Sequence, residues 1–132
     1  MIRIDPRDGT PIYRQVIDQV KLMVVAGQYA PGEQLESVSS LAARLKVNPM
    51  TISKAYGNLV QEGLVERRRG VGLFVARLPG STEKRIKTTV LQDALRKAAS
   101  LAVQMGIGEK AAADLLAEAF DRITSQKVRE TE

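Results

Sequence analysis

The chain has 132 residues and contains no cysteine, no histidine and no tryptophan. Without cysteine it can form no disulfide, which fits a reducing compartment. The thiolate and imidazole ligands of a structural zinc site are missing, so neither a metal nor a cofactor is expected. Cysteine nucleophiles and histidine-based triads are excluded on the same ground. Aromatic residues make up only 4% of the chain, so a core must rest on Leu, Val, Ile, Ala and Met. Long apolar runs are missing too. The longest, residues 22–26, falls far short of the roughly 20 residues that a bilayer-spanning helix needs. The first nine residues, MIRIDPRDG, lack the apolar stretch of a signal peptide. A cytoplasmic protein with no membrane association is expected.

What is present supports a real core and an anionic partner. Hydrophobic content is 44%, the net charge is +5 and the sequence pI is about 9.7. The charge is not gathered into one basic arm. Ten basic and seven acidic residues lie up to Ala76, against ten and eight after it. Positive character must come from local placement, chiefly Arg67, Arg68 and Arg69 with Lys54 and Arg44.

Residues 2–4 alternate apolar and charged, which predicts a short strand. Residues 5–11 are turn-rich. A helix follows over about 11–26, with Ile12, Val16, Ile17, Val20 and Met23 or Val24 inward, ended by Gly27. Pro31-Gly32 marks a loop over 29–33. A short helix is expected over 38–45 with Ser37 as its N-cap, then a turn over 46–48. The next helix, residues 49–62, carries strong start signals. Asn48 is a favoured N-cap, and Pro49 stands at the first helical position, where its missing N–H costs nothing. Ile52, Ala55, Tyr56, Leu59 and Val60 recur at helical spacing and turn inward, and Gly63 ends the helix. Its other face offers Met50, Thr51, Ser53, Lys54 and Asn58, which are small, polar or weakly basic. Alone, this helix could be any amphipathic helix with a solvated face. A short helix, a three-residue turn and a second amphipathic helix together make the helix-turn-helix pattern.

Beyond Gly63 the period shortens. Residues 64–69 and 73–76 read as two strands joined around Gly70-Val71-Gly72. Arg67, Arg68 and Arg69 could be a solvated charge run, and the two glycines simply a turn. After a helix-turn-helix, the hairpin reads better as a wing over 66–74. Its arginines would meet phosphates and its glycine tip could enter a minor groove. Residues 78–82 look like a linker. Two amphipathic helices follow, over about 83–105 and 109–125, with residues 126–132 as a frayed polar tail. Two such helices cannot close a core alone, so they need the first domain, a second copy of the chain, or both. The fold class is therefore mostly α with a small β wing. An N-terminal winged helix-turn-helix (residues 1–78) precedes a linker and a two-helix dimerisation region (residues 79–132).

The stretch from Pro11 to Ala76 resembles the DNA-binding domain of the GntR family of bacterial transcription regulators. The matching features are PIYRQV, AGQYAPGEQL, SLAARLKVNPMTISKAYGNLVQEGLV and ERRRGVGLFVA, in that order. The two C-terminal helices look like the short region of the YtrA-type subfamily. Glu36 stands where the family usually has proline, and Ser39 where it often has an arginine that touches DNA. The resemblance implies that Asn48, Pro49, Met50, Thr51 and Ser53 approach base edges. It makes Ser37, Thr51, Tyr13 and Lys54 candidates for phosphate contact, and it places Gly70 and Gly72 at the wing tip. Bland roles stay open: Tyr13 can merely pack the first helix, Ser37 merely cap, and Thr51 cap with Asn48.

The function expected is a homodimeric, sequence-specific repressor that binds a palindromic operator in double-stranded DNA, paired through its C-terminal helices. The alternative is a winged-helix protein–protein adaptor, to which Glu36 and Ser39 give some weight. No nucleophile elbow, metal spacing or phosphate loop points to an enzyme. An unidentified small-molecule effector at the dimer interface, or against Tyr29 and Met105, stays open.

Overall fold

The computed structural model describes residues 1–131 and contains five helices and a two-stranded antiparallel sheet among them. In order they are α1 (Ile12–Val25), α2 (Val38–Leu45), α3 (Pro49–Gln61), β1 (Val65–Arg68), β2 (Gly72–Val75), α4 (Gly80–Gln104) and α5 (Glu109–Thr131). The chain divides into two compact units, Met1–Val90 and Leu91–Glu132, and the division falls within α4.

The first unit is built on the apolar stripes of α1, α2 and α3. Val16, Ile17 and Val20 of α1 are fully buried with Leu41 of α2 and Ile52, Ala55 and Leu59 of α3. Leu64, Val65 and Val75 extend this core into the hairpin. Each fully buried aliphatic side chain contributes about 1.5–3 kcal/mol relative to exposure. Lys21 of α1 pairs with Glu62 just past α3 at 2.7 Å, tying those two helices together at one end.

The turn between α2 and α3 is set by local chemistry. Lys46 takes a left-handed conformation (φ 58°), the one non-glycine residue among those described to do so. That twist ends α2, whose closing N–H groups, from Lys46 and Val47, reach Ala43 and Ala42 carbonyls. Asn48 then opens α3 by accepting the Met50 N–H on Oδ1 at 2.8 Å.

Three expectations are corrected. Residues 2–4 form no strand. Ile2 is buried in the core, but no sheet edge lies beside it; side-chain amides hold the backbone instead. Gln19 pairs with both the N–H and the carbonyl of Arg3, Gln15 does so with Asp5, and Arg44 donates to the Ile2 carbonyl. The loop expected over 29–33 is present; just past it Gln34 forms an isolated bridge to Phe74, and Leu35 donates to the Leu73 carbonyl, so the segment leading to α2 lies against β2. Residues 80–82 are helical rather than linker, because Ile86 is buried and anchors the first turns of α4 in the core. The first compact unit consequently runs past residue 78, to Val90. Finally, residues 126–131 are helical: no glycine or proline stops α5 there.

The second unit closes no comparable core. Ala102 is its one buried apolar residue among those described. Leu91, Leu101 and Met105 on α4 and beyond it, and Leu115, Leu116, Phe120 and Ile123 on α5, all lie exposed.

Candidate nucleic-acid interface

The recognition helix α3 divides cleanly into two faces. Ile52, Ala55, Tyr56 and Leu59 point inward, whereas Asn48, Pro49, Met50, Ser53 and Lys54 are exposed and Thr51 is half-buried. Met50 is 77% exposed, a high value for an apolar side chain in the first turn of a helix. The Asn48 Oδ1 is committed to capping, so in this state it serves the helix.

Two of the candidate residues meet across helices. The Lys54 ammonium sits 4.0 Å from the centroid of the Tyr13 ring. Tyr13 packs against the core and also carries a cation on its face, an arrangement worth about 0.5–1 kcal/mol at exposed sites. The ring thus packs against the core and seats the Lys54 ammonium.

A second group forms at the wing. Ser37, Arg67, Arg68, Arg69, Gly70 and Gly72 line one cleft of about 450 Å³, whose floor includes Tyr56 and Leu73. Ser37 caps α2 by accepting the Ser40 N–H at 3.1 Å. In the hairpin Glu66 pairs with Phe74, Arg67 with Leu73 and Arg68 with Gly72. Side chains alternate along a strand, so Glu66 and Arg68 share a face with Phe74, and Arg67 lies on the other with Leu73. The Arg68 guanidinium stacks 4.0 Å from the Phe74 centroid, which holds that cation in place over a buried ring. Gly70 and Gly72 have φ of 75° and 143°, so the tip demands residues without a Cβ.

Arg44 is not part of the free positive surface. Its guanidinium binds the Glu36 carboxylate at 2.9 Å, and Ser40 donates to the same carboxylate at 2.9 Å. The hydrogen bonds from Arg44 hold the Glu36 carboxyl below its ordinary pKa, against a smaller opposing effect of desolvation. Glu36 thus enters the cleft already neutralised by a partner. Its backbone carbonyl accepts the Tyr56 hydroxyl at 2.8 Å, and burial pushes the pKa of that hydroxyl upward, so it remains a neutral donor.

The sequence reading missed Gln34, which donates from Nε2 to the Val71 carbonyl at 3.1 Å. It also missed Gln15 and Gln19. In each case a polar side chain takes the part of a strand partner, and no period announces this. No group of acidic residues able to hold a metal occurs among the described residues, and none of their helices is long and apolar enough to cross a membrane.

A capped helix-turn-helix followed by an arginine-bearing hairpin defines a winged-helix DNA-binding transcription regulator. Residues 12–75 match the family described as bacterial regulatory proteins, gntR family. The chain is 41% identical over 97 residues to the HTH-type transcriptional repressor YtrA of Bacillus subtilis strain 168, a match covering 74% of this chain and 75% of YtrA. It belongs to the GntR family. A GntR family transcriptional regulator from Listeria monocytogenes superposes with a TM-score of 0.71 at 26% identity, covering 87% of this chain and 98% of that one. The DNA-binding domain of AraR, solved in complex with operator ORX1, superposes with a TM-score of 0.50 at 31% identity, covering 55% of this chain and 90% of that one. The family match and the likeness to a transcriptional repressor favour a transcription regulator over the protein–protein adaptor reading.

Proposed function

We propose that the chain is a homodimeric repressor that binds a palindromic operator. Each half-site takes one α3 in the major groove and one wing. The observation that carries this reading is the division of faces in the first unit. The outer face of α3, Ser37 and the three wing arginines are open to solvent, while the inner faces of the same elements close the core.

Met50 meets a thymine methyl, and Ser53 hydrogen-bonds a base edge beside Asn48 and Pro49. Ser37, Thr51, Tyr13 and Lys54 meet phosphates, Lys54 from its seat on Tyr13. Arg67, Arg68 and Arg69 bind the backbone, while Gly70 and Gly72 let the tip enter the minor groove. Pairing through α4 and α5 covers the exposed leucines and Phe120 of the second unit, and a twofold pair sets half-sites about one helical turn apart. Repression by occupying promoter DNA is supported by the likeness to YtrA, a transcriptional repressor.

Mobility-shift titration against the DNA upstream of the gene tests the reading. Wild-type protein is expected to bind with an affinity that falls steeply with salt. Replacing Arg67, Arg68 and Arg69 together by Ala should reduce the salt slope by about 0.9 for each phosphate no longer neutralised. An unchanged affinity and slope in that variant would remove the wing from the interface.

A further inference from the structure

The wing tip is held by a residue outside the hairpin. A two-stranded hairpin alone is marginally stable, and this one turns through two glycines with positive φ. Residues 32–35 lie along β2 and supply a second set of ladder-like bonds. Gly32 donates to the Val75 carbonyl, Val75 donates to Glu33, and Leu35 donates to Leu73, each at 2.8 Å. Gln34 stands directly opposite Phe74, so its side chain leaves the ladder on the face that also carries Phe74 and Arg68. From there Nε2 reaches along the wing and donates to the carbonyl of Val71, the residue between the two glycines. The amide occupies the space where a side chain at position 72 would begin: a Cβ on Gly72 would lie 2.7 Å from Gln34 Nε2. The φ of 143° at Gly72 favours glycine, and a Cβ there would also push the Gln34 amide off its seat.

We propose that Gln34 is a positioning residue for DNA binding, a latch whose side-chain amide pre-orders the wing tip and so fixes where Arg67, Arg68 and Arg69 meet the duplex. The proposal rests on the wing reading above. Gln34 contributes no charge, so it adds no ion release of its own. It lowers the entropy that the tip must surrender on binding, and that gain appears as affinity. Loss of the latch should leave the same cations free to engage phosphates, at a greater ordering cost. The signature is a lower affinity at every salt concentration with the slope of log K against log salt unchanged. Loss of a cation, by contrast, lowers the slope.

The test uses the full chain and the DNA upstream of its own gene. Gln34→Met keeps the length of the side chain and removes the donor. It is expected to bind about three- to tenfold more weakly with the wild-type salt slope, a range consistent with one net hydrogen bond. Backbone order parameters of residues 69–72 in the free protein should fall. Gln34→Glu, which keeps the shape and places an acceptor against the Val71 carbonyl, should loosen the tip in the same way and guards against a folding defect in the first variant. A double-mutant cycle supplies the second readout. In the wild type, Gly72→Ala adds the loss of the Gln34–Val71 hydrogen bond to backbone strain and crowding; in Gln34→Met there is no such bond left to lose. The two substitutions should therefore cost less together than the sum of their separate effects. If wild-type protein binds with a salt-dependent affinity but Gln34→Met binds within twofold of it with an unchanged tip, the latch is wrong and the wing reading stands. Additive effects in the cycle would also overturn it. If wild-type protein does not bind in a salt-dependent way, the wing reading fails and the latch with it.

Discussion

The two compact units spend their apolar residues in opposite ways. In Met1–Val90 the large aliphatic side chains of three helices converge, and Val16, Ile17, Val20, Leu41, Ile52, Leu59 and Leu64 show no exposed surface. In Leu91–Glu132 the same residue types recur at helical spacing, yet Leu101, Leu115, Phe120 and Ile123 each keep more than half their surface in water. Both stretches have the amphipathic period of a helix. The difference lies in how many faces are available to close on. Three helices and a hairpin surround a core, while two helices present a stripe that only a further surface can cover. Periodicity thus reports that a face is to be buried, and topology decides whether the chain buries it by itself.

The largest effect tests whether that stripe is an interface. Replacing Leu116 and Phe120 together by Asp places two charges among exposed apolar residues of α5. Sedimentation should show only monomer, and operator affinity should fall by about 10²–10⁴-fold, because two half-sites would no longer be engaged together. Thermal unfolding of the first unit should change little. A variant that stays dimeric and binds normally would break the contrast between a self-sufficient unit and one that needs a partner.

The complementary substitution falls in the closed core. Leu59 is fully buried on α3's inner face, in its last turn. Leu59→Ala should destabilise the first unit by about 2–5 kcal/mol, through reduced burial and a residual cavity, as read by urea unfolding. If the second unit pairs as proposed, the dimer should survive in that variant at low denaturant. A cost below about 1 kcal/mol would mean that the core is less tightly closed than its exposures state.

The bounds of α2 and α3 were legible in the sequence because their ends are marked by residues with local jobs. Ser37 and Asn48 cap, Pro49 opens, and Gly63 follows. The wing was legible from its glycines and its change of period. The N-terminal segment was not: residues 2–4 have a strand's alternation, but a strand needs a neighbour, and here the neighbours are the amides of Gln15 and Gln19. Gln34 was invisible for the same reason, since its role depends on a carbonyl at residue 71. The end of the first unit at Val90 was missed because Pro79 and Gly80 look like a linker, and Ile86 inside the core outweighs them. Within the candidate interface, residue types pointed to Tyr13 and Lys54 one at a time, but their stacking is a tertiary fact.

A smaller effect tests the start of α3. Asn48→Ala removes the side-chain acceptor from the Met50 N–H and should cost about 1 kcal/mol. Asn48→Asp keeps an acceptor, and its negative charge is favourable at a helix N-terminus. It should hold stability near the wild-type value in urea while weakening operator binding, because that charge would face the duplex. Binding that tracked stability in both variants, lowered in Asn48→Ala and kept in Asn48→Asp, would reduce Asn48 to a cap alone.

The smallest effect comes from the Glu36–Arg44 pair, and its sign follows from the direction of the shift. Arg44 holds the Glu36 carboxyl below its ordinary value in the folded protein. A carboxyl with a lowered folded pKa stabilises fully above its unfolded pKa of about 4.3, and that contribution fades as the pH falls through the folded value. Both side chains are about 30% exposed, so solvent screening limits the pair to about 0–1 kcal/mol. Glu36→Gln should therefore melt slightly below wild type at pH 7, with the gap closing on acidification. The comparison needs only thermal unfolding of the two proteins across that range. A gap that widened as the pH fell would show that Glu36 is not stabilised by Arg44 in solution, and the cleft beside Ser37 would then present an uncompensated negative charge to the phosphate backbone.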